Sequence, residues 1–437
     1  MDKYVSEKSW LSTVLEAEVH FTATLFQNNA SIPTQGTSME GDFHLSSSET
    51  GFTGVSKYKK ISHQRSSSIP YGRYLINNEY QVARRYTKFN IEQLCQLVSS
   101  AVTNGESRVC KIDKMEGGYH KALLMTLENG HEVVAKIPYP IAGPAKYSTA
   151  SEVAIMQYIK TYPTIPVPTV LAWSSSSTNT IGSEYIIMEK APGVQIFEVW
   201  NKMTELDKLN FISNLNGLED QLAKIHFPGS LYLRDSIPEG SSSIPLGLQV
   251  DPTQSYCIGP IAGNSWYGEL SDNSSHPDDI GPWKTVSEYG IAHLHKSLWR
   301  MSHAAYHTRS FKTPYHGDQQ RHAQVIHEAI KLMPTVAQLD GIDSLAAPIL
   351  WHTDFHMGNV YVSKDDNTAI SSIIDWHDIS IAPLFVQSRW PLFIMPPESY
   401  EKGIFPISLP GNHDTLDAEA QEEAETERAE KFLAKAY

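Results

Sequence analysis

Residues 349–376, ILWHTDFHMGNVYVSKDDNTAISSIIDW, gather the polar groups that handling a magnesium-bound phosphate requires. Asn359 opens one apolar-alternating run, NVYVS, and Asp375 closes another, ISSIIDW. The turn formers Lys364, Asp365, Asp366 and Asn367 lie near the midpoint between them, so the spacing predicts an antiparallel hairpin that returns Asp375 beside Asn359. Two oxygen ligands then meet at its open end. Mg²⁺ suits such a place, since it takes one or two protein oxygens and leaves its other positions to water and a nucleotide's phosphates. Asp354, in the loop entering the hairpin, is placed to reach a substrate hydroxyl and accept its proton while Asn359 reaches the metal. His352 is grouped with it in the catalytic loop, chiefly as a brace through backbone hydrogen bonds.

Two other readings of the segment stay open. His352, Asp354 and His356 form an H-x-D-x-H run that could bind zinc, with His377 and Asp378 extending it. A purely structural hairpin with capped polar ends is the other. Both leave a second group of residues unexplained. Lys136 sits in the apolar strand VVAKI, where an unpaired ammonium is costly to bury, so it needs an anionic partner. Glu152, near the start of the following helix, is the natural one, and the pair would aim the ammonium at nucleotide phosphates. The competing reading makes Thr149-Ala150-Ser151-Glu152 a capping box and Lys136 a snorkelling edge-strand lysine. Gly117 and Gly118 could let the backbone approach phosphates, although a Gly-Gly pair between strands is also an ordinary hairpin turn. Met188 to Ala191, running into Pro192-Gly193, reads as a hinge between lobes.

The elements that position these groups can be read from the pattern. The sequence predicts an α+β chain of two lobes, a small antiparallel-sheet lobe over residues 69–195 and a larger helical lobe over 196–410. Asn90 starts a helix at FNIEQLCQLVSSAV. RVCKIDKM, KALLMTL and HEVVAKI follow as a three-strand meander broken at Gly117-Gly118 and Asn129-Gly130. SEVAIMQYI has helical spacing with Val153, Met156 and Ile159 on one face, and EYIIMEK is a further strand. ELDKLNFISNLNGLEDQLAKIHF and RHAQVIHEAIKLMPTVAQL are helices. A long loop-rich stretch between about 227 and 290 separates them, whose Trp266, Tyr267 and Trp283 would either wall a substrate pocket or pack beneath the loop. Residues 1–68, rich in Ser, Thr, Asn and Gly, are expected to be flexible, and 411–437 to end in an acidic, solvated helix.

Bulk properties narrow the classes. The 437 residues, 41% hydrophobic and 19% charged, suit a globular chain. No apolar run approaches the roughly 18–20 residues that span a bilayer, so no integral membrane contact is expected. The acidic N-terminus shows no targeting segment. Cys95, Cys110 and Cys257 are too few and too scattered for a disulfide framework or a CxxC zinc site, which fits an intracellular compartment. The net charge is −14, of which Asp414 to Glu430 hold −7, eight acids against one arginine. That balance disfavours a nucleic-acid partner without defining substrate charge.

HTDFHMGN followed by IIDW resembles the H-x-D-x-x-x-x-N and I-D-W pair of the aminoglycoside phosphotransferase and choline kinase superfamily. EGGYHKALLMTLENGHEVVAKIPYP, EYIIMEKAPGV, FPGSLY, CIGP, GPW and IDWHDISIAPLF extend the resemblance over roughly residues 70–430, toward a fungal branch of that superfamily. The resemblance implies a protein-kinase-like fold, ATP and Mg²⁺ as cofactors, Asp354 as base, Asn359 and Asp375 as metal ligands, and Lys136 with Glu152 as the phosphate-binding pair. The acceptor would be a hydroxyl of a small molecule. The branch also implies a link to mitochondria. A catalytically silent nucleotide-binding scaffold is the alternative from another functional class.

Overall fold

A computed structural model describes residues 77–161, 165–225, 229–267, 279–302, 318–342, 346–379 and 381–437. The stretch 1–68, expected to be flexible, lies outside the described residues. Asn90 starts α1 (Ile91–Thr103) as expected, its side-chain oxygen accepting from the N–H groups of Glu92 and Gln93. The apolar face of α1, with Leu94 and Val98 fully buried, packs against Leu123, Met125, Ala135 and Ile187. Those residues come from the meander of β1 (Val109–Glu116), β2 (His120–Leu127) and β3 (Glu132–Pro138) and from β5 below. Every second residue of β2 is buried, the period of a strand with one covered face.

The helix α2 (Tyr147–Lys160) starts four residues before the expected Ser151, and Val153, Met156 and Ile159 are all buried. One strand of this first sheet was not anticipated. β4 (Val170–Ser174) is short, follows Pro166 and Pro168, and does not alternate in polarity. It completes, with β5 (Tyr185–Glu189), a five-stranded antiparallel sheet of order β1-β2-β3-β5-β4.

The chain leaves this sheet through Lys190 to Gly193 and enters a second one as β6 (Val194–Gln195). Gly193 has φ +95°, and a Cβ there would lie 2.1 Å from the carbonyl oxygen of Val362. Only glycine allows that approach. Ser371 Oγ closes the junction by donating to the Pro192 carbonyl at 2.7 Å.

Beyond it, α3 (Glu205–Ala223) is capped by Thr204 and Asp207. The stretch expected as a long loop instead contains β7 (Ser230–Leu233), β8 (Ile244–Pro245) and β9 (Tyr256–Gly259), paired in the order β7-β9-β8. Trp266 and Trp283 lie with ring centroids 4.8 Å apart, 1% and 5% exposed, against Ala292. They pack as core, the second of the two expected uses. α4 (Val286–Ser302) and α5 (Gln319–Val336) lie against each other. β10 (Pro348–Leu350) feeds the hairpin of β11 (Val360–Val362) and β12 (Ile370–Ile373), and β13 (Ile381–Pro383) returns to pair with β10. β6 pairs with β11, giving the order β12-β11-β6.

The fold is therefore α+β and two-lobed, with a small antiparallel-sheet lobe and a larger helical lobe. One apolar cluster runs through both. It joins Val153, Met156 and Ile159 of α2 and Ile186 of β5 to Phe211 and Leu215 of α3 and to Val360, Ile373 and Trp376. Each such side chain contributes about 1.5–3 kcal/mol on full burial, so both lobes draw stability from the same cluster.

The acidic helix α6 (Ala418–Ala436) is not only a solvated element. Ala434 is buried, and its carbonyl accepts from Trp390 Nε1. Tyr437 Oη donates to Glu219 Oε1 of α3 at 2.7 Å. Burial pushes the Glu219 carboxyl from its ordinary 4.5 up to about 7, against the lowering effect of that tyrosine hydroxyl. A raised carboxyl pKa means the folded chain holds its proton longer than the unfolded one. The associated stability is present below pH 4.5 and is lost as pH rises through 7. Glu219→Gln should consequently flatten the fall in melting temperature between pH 5 and 8 and stabilise the protein at pH 8 by about 1–3 kcal/mol. Parallel pH profiles for the two proteins would contradict this.

Candidate active site

Lys136 projects from β3 against the buried start of α2 and is 6% exposed. Its Nζ donates to Glu152 Oε1 at 2.6 Å and to Asp375 Oδ1 at 2.7 Å. The capping-box alternative for Glu152 does not hold, because α2 begins at Tyr147 and Glu152 lies beyond its first turn. Thr149 Oγ1 is engaged by Glu184 Oε2 at 2.6 Å. Burial alone would lower the Lys136 pKa, but Asp375 and then Glu152 outweigh it and raise it. Burial alone would likewise raise Asp375, yet the Lys136 charge beside it holds the carboxyl well below the usual range. Both groups are charged at neutral pH, and one ammonium serves two carboxylates.

The β11–β12 hairpin forms with Val360 opposite Ile373, and Ile374 N donates to the Asn359 carbonyl at 2.9 Å. That register sets Asn359 opposite Ile374, with Asp375 the next residue along, so both stand at the open end of the hairpin. Asp375 has φ +63°, in the left-handed region that Asp and Asn tolerate better than most side chains. Asn359, 5% exposed, donates from Nδ2 to the Asp354 carbonyl oxygen at 3.0 Å and lies 3.4 Å from its Oδ2. Asp354 is thus pinned by its backbone while its side chain stays 52% exposed. A base for an incoming hydroxyl needs that combination.

His352 is buried, donates from Nε2 to the Ile374 carbonyl at 3.0 Å and stacks on Phe355. Burial holds its pKa below the ordinary value. Its geometry is that of a brace between loop and hairpin. The rings of the zinc reading turn to other partners: His356 Nδ1 accepts from Gly358 N at 3.0 Å, and His377 Nε2 donates to the Ala142 carbonyl at 2.5 Å. Among the described residues no group of three or more His, Cys, Asp or Glu is set to hold a metal ion.

Gly117 and Gly118 form the exposed turn between β1 and β2, where Gly117 N donates to the His120 carbonyl at 3.0 Å. Sequence reasoning assigned no task to the two residues that follow them. Tyr119 stacks on His377 with centroids 5.7 Å apart. His120 turns inward, its Nε2 3.8 Å from Asp375 Oδ1. A run of polar residues following Gly-Gly was the only signal for them, and their neighbour His377 is more than 250 positions away.

Lys136 bonds Glu152 and Asp375 in one group, and Asn359 bonds Asp354 in a second, at the open end of the same hairpin. The donor set fits a nucleotide's phosphates with Mg²⁺. The small gap lined by His120, Lys136, Ser148, Glu152 and His377 has about 10 Å³ of space, room for one water at most.

Residues 286–386, which include Asp354, Asn359 and Asp375, match the model of the phosphotransferase enzyme family. A subtelomeric hrmA-associated cluster protein of Aspergillus fumigatus is 28% identical over 70% of this chain and 64% of its own, so the chain spans just under two thirds of that relative. Altered inheritance of mitochondria protein 9, mitochondrial, from Yarrowia lipolytica is 23% identical over 83% of this chain and 67% of its own. Among solved structures, the ADP-bound aminoglycoside phosphotransferase APH(2'')-Ib superposes with a TM-score of 0.39 at 12% identity, covering 68% of this chain and 73% of that one. The chain resembles the phosphotransferase enzyme family and, within it, the fungal branch of the Altered inheritance of mitochondria 9 proteins.

Proposed function

We propose that the protein is an ATP- and Mg²⁺-dependent phosphotransferase that moves the γ-phosphate to a hydroxyl of a small molecule. The observation that carries this reading is the convergence of Lys136, Glu152, Asp375, Asn359 and Asp354 from β3, α2, the β11–β12 hairpin and its entry loop. Lys136 holds nucleotide phosphate and is itself positioned by Glu152. Asp375 and the Asn359 side-chain oxygen hold magnesium, which neutralises phosphate charge when bound. Asp354 orients the acceptor hydroxyl and takes its proton. His352 keeps the loop on the hairpin, and the turn at Gly117 and Gly118 covers the phosphates.

The second reading is a nucleotide-binding scaffold without turnover, which the same residues would serve if no acceptor is phosphorylated. The names of the Altered inheritance of mitochondria protein 9 relatives carry the word mitochondrial, and a mitochondrial place for this chain belongs to either reading. Among the described residues no helix is long and apolar enough to cross a membrane. The nucleotide site is tested by melting temperature with ATP and Mg²⁺, singly and together. A ligand at 100 times its Kd stabilises by about 2.7 kcal/mol, so the wild type should melt several degrees higher with both. Asp375→Ala should lose the magnesium-dependent part. No shift in the wild type would remove the nucleotide site and both readings with it.

A further inference from the structure

We propose that His120 contacts the nucleotide directly, donating an imidazole N–H to a phosphate oxygen beside Lys136 once the β1–β2 turn lifts. This rests on the nucleotide reading above and adds a residue that the motif does not contain. His120 pairs with Pro138 across β2 and β3, and the turn before it is tied by Arg85 Nε donating to the Gly118 carbonyl at 3.2 Å. Tyr139 N holds the Tyr119 carbonyl at 2.9 Å. These bonds aim the ring down into the gap over Lys136 and Asp375. Gly117 makes room for it, since a Cβ at Gly117 would lie 3.2 Å from His120 Nε2.

The ring is poorly served where it lies. Its Nδ1 is buried without a hydrogen-bond partner, and its Nε2 stands 3.8 Å from Asp375 Oδ1, beyond hydrogen-bond reach. Buried polar atoms are nearly always paired, so one left unpaired at the edge of a gap beside Lys136 calls for a partner. The neighbours say which kind. Lys136 supplies positive charge at the same gap and Asp375 a place for magnesium, so the incoming group is anionic and rich in acceptor oxygens. Burial first, and then the Lys136 charge, lower the His120 pKa to about 3, so the ring is neutral and does not compete with the ammonium for Asp375. The His377 ring, 6.1 Å away and bonded to the Ala142 carbonyl, forms the far wall of the gap and is not free to donate there.

Calorimetric titration of the full chain with MgATP and with adenosine tests this in the wild type, His120→Asn and His120→Phe. Asparagine keeps an N–H donor, whereas phenylalanine keeps the ring and loses it. The expected result is about tenfold weaker MgATP binding in His120→Phe, equivalent to about 1.4 kcal/mol, largely restored in His120→Asn, with adenosine affinity equal in all three. Unchanged or tighter MgATP binding in His120→Phe would overturn the proposal and leave the ring as a mere plug. Equal losses for adenosine and MgATP would also overturn it, as a disturbance of the lobe. A wild type that binds neither would instead sink the nucleotide reading itself.

Discussion

Asp354→Ala is expected to lower phosphoryl transfer by about 10²–10⁴-fold while MgATP binding stays at the wild-type level. The side chain is half exposed and touches none of the groups assigned to phosphate, apart from the 3.4 Å approach of Asn359 Nδ2. Its backbone carbonyl, which survives the substitution, makes the shorter bond to Asn359 at 3.0 Å. Removing the carboxylate therefore takes away the proton acceptor and leaves the metal ligands in place. The split between kcat and nucleotide affinity is what assigns the role. Rate measurements together with MgATP titration check it, and equal losses of binding and rate would move Asp354 into the nucleotide site.

Lys136→Met should have the largest effect on the folded state. The ammonium is buried and bridges two carboxylates, so the variant leaves Glu152 and Asp375 facing one another without a counter-charge. Breaking a buried pair from one side costs about 3–5 kcal/mol, far more than the pair contributes against an apolar replacement of both partners. Melting at pH 7 should show that loss, and Lys136→Met with Glu152→Gln should regain a substantial part of it. Nucleotide binding should remain weak in the double variant, since neither side chain can then hold phosphate. A single variant as stable as the wild type would mean that the bridge is loose in solution.

The hairpin was legible because its two strands alternate around a turn of Lys, Asp and Asn, and a register set by that turn brings Asn359 and Asp375 to its open end. The pairing of Lys136 with Glu152 was legible from chemistry alone, as a buried ammonium must be answered. Its second bond, to Asp375, lies 239 positions along the chain and depends on how the lobes close, which no local pattern encodes. The same holds for His120 and His377, drawn together only by that closure.

The sheet of β7, β8 and β9 was missed because strands of two to four residues have too few positions to show alternation. The docking of α6 was missed for a related reason. Its contact rests on a few residues at its end, Leu433, Ala434 and Tyr437, within a helix whose composition reads as solvated.

The central claim is phosphoryl transfer, and the direct measurement follows γ-labelled ATP with Mg²⁺ across a panel of small hydroxyl compounds, in the wild type and in Asp354→Ala. The account predicts that label moves to at least one class of acceptor in the wild type and falls at least about 100-fold in the variant. Bound ATP whose label leaves no faster in the wild type than in Asp354→Ala, with every acceptor and with water, would contradict it.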